Sequence, residues 1–226
     1  MEQHILRYEL KMTFEGKRLF EARRWVRAHS DGFREAYPPR QVNNVYFDTP
    51  DLSFLNDHMA GVDERRKLRY RWYGKDIQHA CGHLEDKERT GRIGWKDIQP
   101  VEPLLDLTCL TWNEVTAVIA AQVTGHLHEM VCVSRPVMIN YYQREYYCSS
   151  DGEVRLTLDY DQVAYDQRLS PRPNLVFRLP MRNQMLIEIK SGAGNGEHLA
   201  DVLSEFPLRV GRHSKYVDVM GSMIER

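Results

Sequence analysis

The sequence predicts an α+β fold built on an antiparallel sheet. Three observations carry this. Several segments alternate apolar and charged residues with period two. These segments mostly follow one another, with a few helical patterns between them, unlike the regular strand–helix alternation of a doubly wound fold. The apolar share is 42% of 226 residues, enough for a sizeable core, yet no window approaches ~18 consecutive apolar residues.

Taken in order, Leu6–Met12 places Leu6, Tyr8, Leu10 and Met12 on one face and Arg7, Glu9 and Lys11 on the other. Gly16–His29 carries Leu19, Ala22, Trp25 and Val26 at helical spacing. Asn43–Asp48 reads as a strand. In Lys67–Tyr73, Leu68, Tyr70 and Trp72 alternate with Lys67, Arg69 and Arg71. His83–Arg89 sets His83, Glu85, Lys87 and Arg89 on one face, but its other face (Leu84, Asp86, Glu88) is poorly apolar. Thr111–Thr124 opens with Thr111 and has Glu114 three residues on, the signature of a capping box. Ile139–Tyr147, Val154–Tyr160 and Met185–Lys190 are further strands, with a weaker one at Leu175–Leu179. Helices at Glu197–Phe206 and Ser214–Ile224 close the chain. The total is about eight strands and four helices. The linker-like stretches at Tyr37–Arg40, Ser170–Asn174 and Ser191–Gly196 are too short to mark a boundary, so residues 1–226 are expected to form one domain.

Composition excludes several function classes. A net charge of −1 argues against a broad basic surface for nucleic acid or membrane. No transmembrane segment or secretory leader is legible, which predicts a cytoplasmic protein with no direct membrane insertion. Cys81, Cys109, Cys132 and Cys148 show no C-x-x-C pair and are expected to be reduced core thiols. The near-neutral sum conceals an imbalance, because the 31 basic residues are 23 Arg and 8 Lys. Genomic base composition accounts for part of such a bias. Arg is also the residue that grips phosphate with two hydrogen bonds.

The charged strand faces are rich in cations with single carboxylates among them: Glu9, Glu85, Asp159 and Glu188. Such faces lie in water on an ordinary half-exposed sheet, or they turn into a lumen if eight strands close. Cations converging in a lumen would need a polyanion, and the carboxylates would suit divalent cations.

Eight motifs occur in order: RYELKM at Arg7–Met12, NNVYFDTPDL at Asn43–Leu52, RRKLRYRWYG at Arg65–Gly74, LEDK at Leu84–Lys87, RPVMINYYQREYY at Arg135–Tyr147, VRLTLDYD at Val154–Asp161, LIEIK at Leu186–Lys190 and HSKY at His213–Tyr216. Together they resemble the VTC domain, the polyphosphate polymerase domain of the vacuolar transporter chaperone family, within the triphosphate tunnel metalloenzyme (CYTH-like) superfamily. The resemblance implies a closed eight-stranded antiparallel β-barrel, with helices packed outside and a basic tunnel within. It implies a metal-dependent phosphotransferase that moves the γ-phosphate of a nucleoside triphosphate, with ATP as the expected donor and the preferred nucleotide left open, onto a polyphosphate chain. A tripolyphosphatase or nucleoside triphosphatase, or a non-catalytic polyphosphate-binding module, are the alternatives.

By motif match, Arg69, Arg71, Lys87 and Glu188 would carry the chemistry. Lys11, Arg69, Arg71, Lys87, Arg144, Arg155, Lys190, Arg212 and Lys215 would bind phosphate, with Lys96 as an extra contact. Glu188, with Glu9 and Glu85 as secondary candidates, would hold Mn²⁺ or Mg²⁺. The sequence departs from the pattern in having only His58, or nothing, where a basic residue is usual. It also has a single glutamate in the first strand. No regulatory SPX domain or membrane segment accompanies the motifs, so a membrane partner protein stays open. The GHLH run at Gly125–His128 reads as a helix end with exposed His, and GRIGWK at Gly91–Lys96 lacks the spacing of a phosphate-binding P-loop.

Overall fold

The structure is a computed structural model that describes residues 7–90, 93–192, 196–211 and 213–224. Eight strands are β1 (Arg7–Glu15), β2 (Arg34–Asp48), β3 (Glu64–Tyr73), β4 (His79–Thr90), β5 (Ile93–Asp106), β6 (Arg135–Cys148), β7 (Val154–Asp166) and β8 (Gln184–Gly192). Six helices are α1 (Leu19–Ala28), α2 (Ser53–Ala60), α3 (Trp112–Gln122), α4 (Gly125–Val133), α5 (Gly196–Ser204) and α6 (Lys215–Ile224). The strands form one sheet in the order β1–β8–β7–β6–β2–β3–β4–β5. The ladders β1/β8, β8/β7, β2/β3, β3/β4 and β4/β5 are antiparallel.

The expected α+β class and eight-stranded sheet are therefore present, but the expected closed barrel is not. Among the described residues the sheet is open, with β1 and β5 as its edges. Pro100 and Pro103 in β5 donate no N–H, which suits an unpaired edge. The expected strand at Leu175–Leu179 is replaced by a loop with one bridge, Tyr165 to Arg178. Asn174 Oδ1 takes the amides of Val176 and Phe177 at 3.1 and 2.9 Å, groups a ladder would have used. The eighth strand is instead β5, and α2 and α4 are helices beyond the four expected. The GHLH segment begins a helix, where a helix end was expected.

Two compact units divide the chain. Unit 1 comprises Met1–Arg40, Tyr142–Gln162 and Arg182–His213. Its core joins Met12 and Phe14 of β1, Leu156 and Leu158 of β7 and Ile187 and Ile189 of β8 to Ala22 and Val26 of α1 and Leu199 and Val202 of α5. The period-two faces thus meet the helical stripes, as the alternation requires. Arg23 on α1 clips this helix to β6 through Glu145, at 2.5 and 3.0 Å.

Unit 2 comprises Gln41–Tyr141, Val163–Met181 and Ser214–Arg226. Leu68, Tyr70 and Trp72 of β3 and Ala80 and Leu84 of β4 are buried against Trp112, Val115 and Ile119 of α3 and Leu127 and Val131 of α4. The expected capping box starts α3, with Thr111 and Glu114 exchanging hydrogen bonds. Gly82 sits at a register shift of β4, where a Cβ would meet the Arg71 carbonyl at 1.9 Å, so only glycine fits.

Helix α6 packs elsewhere, against the charged side of β2 and β3. Tyr216 stacks on Tyr46, with ring centroids 5.1 Å apart, and Lys67 Nζ donates to Ser214 Oγ at 2.9 Å. The Tyr216 hydroxyl donates to the buried Asp48 carboxylate. Asp48 also accepts from the backbone N–H groups of Thr49, Phe54 and Leu55 at 2.7–3.0 Å. Leu52 occupies the N-cap of α2 and has no side-chain acceptor, so Thr49 Oγ1 accepts from the Ser53 amide and Asp48 from those of Phe54 and Leu55.

Three of the four cysteines are exposed and Cys148 is half-buried, which corrects the expectation of core thiols. Among the described residues no helix is long and apolar enough to cross a membrane. Tyr216→Phe is expected to lower unfolding free energy by about 1–3 kcal/mol, because it leaves the buried Asp48 short of a donor. Urea denaturation measures this as a lower midpoint with an unchanged slope.

Candidate functional site

The β3/β4 and β4/β5 registers decide which charges meet in unit 2. Arg69 lies opposite Glu85, and Arg71 opposite His83. Lys67 lies opposite Lys87, and Lys87 opposite Lys96, so three lysines form a row across three adjacent strands. Directly opposed like charges are unfavourable in a sheet. The row is tolerable where carboxylates or an anionic ligand meet it.

Glu85 is that carboxylate for part of the group, and it is 2% exposed. Arg69 grips its Oε2 at 2.5 and 2.7 Å, Lys96 Nζ lies 2.9 Å from Oε1, and His83 Nε2 is 2.7 Å from the same oxygen. Arg71 Nη1 stands 3.7 Å from Glu85 Oε1, and Arg71 Nε donates to Asn44 Oδ1 at 2.8 Å. Asn44 is held in turn by the hydrogen bond its Nδ2 donates to Asn140 Oδ1. Burial alone would raise the Glu85 pKa. Arg69, the His83 hydrogen bond, Arg71 and Lys96 outweigh burial and hold the carboxyl well below the usual range. Burial lowers the Lys96 pKa, with Glu85 opposing it. The cations are thus fixed in place before any ligand arrives, which is the condition for electrostatic catalysis without reorganisation.

Glu85, expected as a secondary metal ligand, is ion-paired with Arg69 and Lys96 in this structure. His58 Nε2 lies 3.1 Å from the Arg66 carbonyl. Lys215 is the first residue of α6, directly after the Ser214 that Lys67 contacts. Arg212 lies outside the described residues.

Unit 1 builds a second charged face. Glu9, Lys190 and Arg155 lie opposite one another across β1, β8 and β7, and Lys11, Glu188 and Thr157 form the next row. Lys190 Nζ is 2.6 Å from Glu188 Oε1, and Lys11 Nζ is 3.7 Å from Glu188 Oε2 and 3.0 Å from Glu9 Oε1. Arg144 binds Asp159 through two nitrogens at 2.5 and 2.7 Å. Burial lowers the Arg144 pKa, but Asp159 more than compensates, so the guanidinium stays charged. Arg155 is exposed.

The donors on this face suit a divalent cation. Glu9 and Glu188 offer hard oxygens, and Thr157, opposite Glu188 in register, has a buried Oγ1 with no hydrogen-bond partner.

A further group escaped the sequence reading. Asp86, Glu88 and His126 bring ligand atoms within 4.8 Å of one another. They occupy the face of β4 opposite to Glu85. Arg66 pairs with both carboxylates, at 3.0 Å to Asp86 Oδ2 and in direct contact with Glu88. The alternation of Asp86 and Glu88 was the available signal, and α4, which supplies His126, was not expected as a helix.

The VTC domain pattern matches residues 6–224. The chain belongs to the VTC domain family. Against curated proteins the sequence finds no match. The fold of this VTC domain is similar to that of a candidate adenylate cyclase from Vibrio parahaemolyticus, at 11% identity and a TM-score of 0.54, covering 97% of this chain and 99% of that one. It is also similar to the PH1819 protein from Pyrococcus horikoshii, at 14% identity and a TM-score of 0.50, covering 96% and 99%. These two likenesses concern the fold alone.

Glu85→Gln is expected to be less stable than the wild type at neutral pH, because it removes the shared counter-charge. A carboxyl held below its unfolded value stabilises the fold above about pH 4.3, and that contribution fades as pH falls and the unfolded chain takes up the proton. Thermal melts from pH 7 to pH 3 should therefore show the gap between wild type and E85Q narrowing on the acid side.

Proposed function

We propose that this VTC domain is a metal-dependent phosphotransferase of the polyphosphate-polymerase type, acting on a nucleoside triphosphate, with residues 1–226 serving as one cytoplasmic domain. The observation that carries the reading is the set of Arg69, Arg71 and Lys96 held around Glu85, beside the opposed lysines Lys67 and Lys87. Phosphoryl transfer asks a protein mainly to position phosphates and neutralise developing charge. Rigid guanidinium groups match phosphate oxygens two at a time.

In this reading Arg69, Arg71 and Lys87 hold the triphosphate, with Lys96 adding a contact. Arg71 is oriented by Asn44, so its fork is set before substrate binds. On the other unit, Lys11, Lys190 and Arg155 are the phosphate-facing cations, Arg144 is fixed by Asp159, and Glu188 with Glu9 would hold Mn²⁺ or Mg²⁺. When bound, that cation would supply Lewis-acid neutralisation of phosphate charge. Lys215 and Arg212 are assigned to phosphate by motif match. No Cys, Ser or His nucleophile is required, because the acceptor oxygen belongs to the terminal phosphate of the growing chain.

Arg71→Ala should lower kcat/KM for ATP by about 10²–10³-fold while the circular dichroism spectrum stays that of the wild type. Folded, fully active R71A would contradict the assignment. Incubation with ATP and Mn²⁺, followed by a gel stained for polyphosphate, reads the acceptor. Long chains are the expected product. Orthophosphate alone would identify water as the acceptor and the protein as a triphosphatase, and tight polyphosphate binding without turnover would identify a binding module.

A further inference from the structure

We infer that the Thr157 hydroxyl is a ligand of the divalent cation held at Glu188, and that Lys11 and Lys190 exchange the Glu188 carboxylate for phosphate when cation and polyanion load. The inference rests on the metal-dependent reading above and adds a residue to it.

Thr157 of β7 is directly opposite Glu188 of β8, and Glu188 is directly opposite Lys11 of β1. Opposed residues of an antiparallel pair project from the same face, with Cβ atoms about 4.5–5.5 Å apart. The hydroxyl and the carboxylate therefore share one small region of the charged face.

Thr157 Oγ1 is buried, and no hydrogen-bond partner meets it. A threonine on a strand is ordinarily there for its β-branched shape, with its hydroxyl satisfied by water or backbone. A buried hydroxyl left unsatisfied costs free energy, and in a native fold it marks the place of a water or an ion. Thr157 is also the uncharged member of its strand face, between Arg155 and Asp159.

Glu188 explains why the hydroxyl is orphaned. Both carboxylate oxygens are drawn to lysines, Oε1 to Lys190 at 2.6 Å and Oε2 toward Lys11 at 3.7 Å. An incoming polyanion competes for exactly those ammonium groups. Once they turn to phosphate, the carboxylate regains its capacity to bind a hard cation, and the adjacent hydroxyl supplies a neutral oxygen. A neutral ligand is the better choice here, because another carboxylate would repel the phosphates the cation must bridge.

Isothermal titration of Mn²⁺ into the intact chain, with a non-hydrolysable triphosphate present, tests this in wild type, Thr157→Val, Thr157→Ser and Glu188→Gln. Valine keeps the β-branched shape and removes the oxygen. T157V should bind Mn²⁺ about 10-fold more weakly or worse, and T157S should restore the affinity. The metal-free thermal transition of T157V should stay at or above that of the wild type, since an unsatisfied group has been removed. A structural hydroxyl would move that transition down. Wild-type affinity in T157V alongside lost binding in E188Q would overturn the inference and leave the metal-dependent reading standing. Absence of Mn²⁺ binding by the wild type would overturn both. A lowered metal-free transition in T157V would also overturn the inference, by assigning the hydroxyl to the fold.

Discussion

The ion-paired group around Glu85 is the constraint on which the rest of unit 2 depends. One buried carboxylate holds Arg69, Lys96 and His83 within 3 Å, with Arg71 just beyond. Such an assembly is worth little unless the strands cannot slip. The opposite face prevents slippage: Leu68, Tyr70 and Trp72 of β3 and Leu84 of β4 are locked under α3 and α4. A one-residue change of register would drive those side chains into the charged face and the charges into the apolar core. Hydrophobic packing on one side therefore sets the electrostatic geometry on the other.

This division of labour explains how much was legible in the sequence. Lys67–Tyr73 and Met185–Lys190 alternate cleanly, so the shared face of Arg69 with Arg71, and of Glu188 with Lys190, followed from period two. β5 did not follow. Gly94, Pro100 and Pro103 break its alternation, and without that strand the Lys67–Lys87–Lys96 row could not be seen. Asp48 and Tyr216 stand out as parts of motifs, but their hydrogen bond joins positions 168 residues apart. Local pattern holds no trace of such a contact. The open sheet is a similar case, because closure depends on edge pairing and not on any strand's own periodicity.

The surplus of arginine over lysine also resolves into separate uses. Arg23 on α1 clips a helix to β6 through Glu145. Arg66 bridges Asp86 and Glu88 on the face of β4 turned away from Glu85. Arg144 is spent on Asp159. Arg69 and Arg71 are the guanidinium groups that meet the Glu85 carboxylate. A chain of net charge −1 can thus carry a strongly cationic locus, because neutrality is a sum over the whole sequence and recognition is local.

If the cations around Glu85 hold a triphosphate, a crystal structure of the intact chain grown with a non-hydrolysable ATP analogue and Mn²⁺ will show phosphate oxygens in contact with Arg69 and Arg71 and a manganese ion at Glu188. A nucleotide bound away from both arginines, or a Glu85 group unchanged at saturating ligand with no phosphate against it, would contradict that assignment.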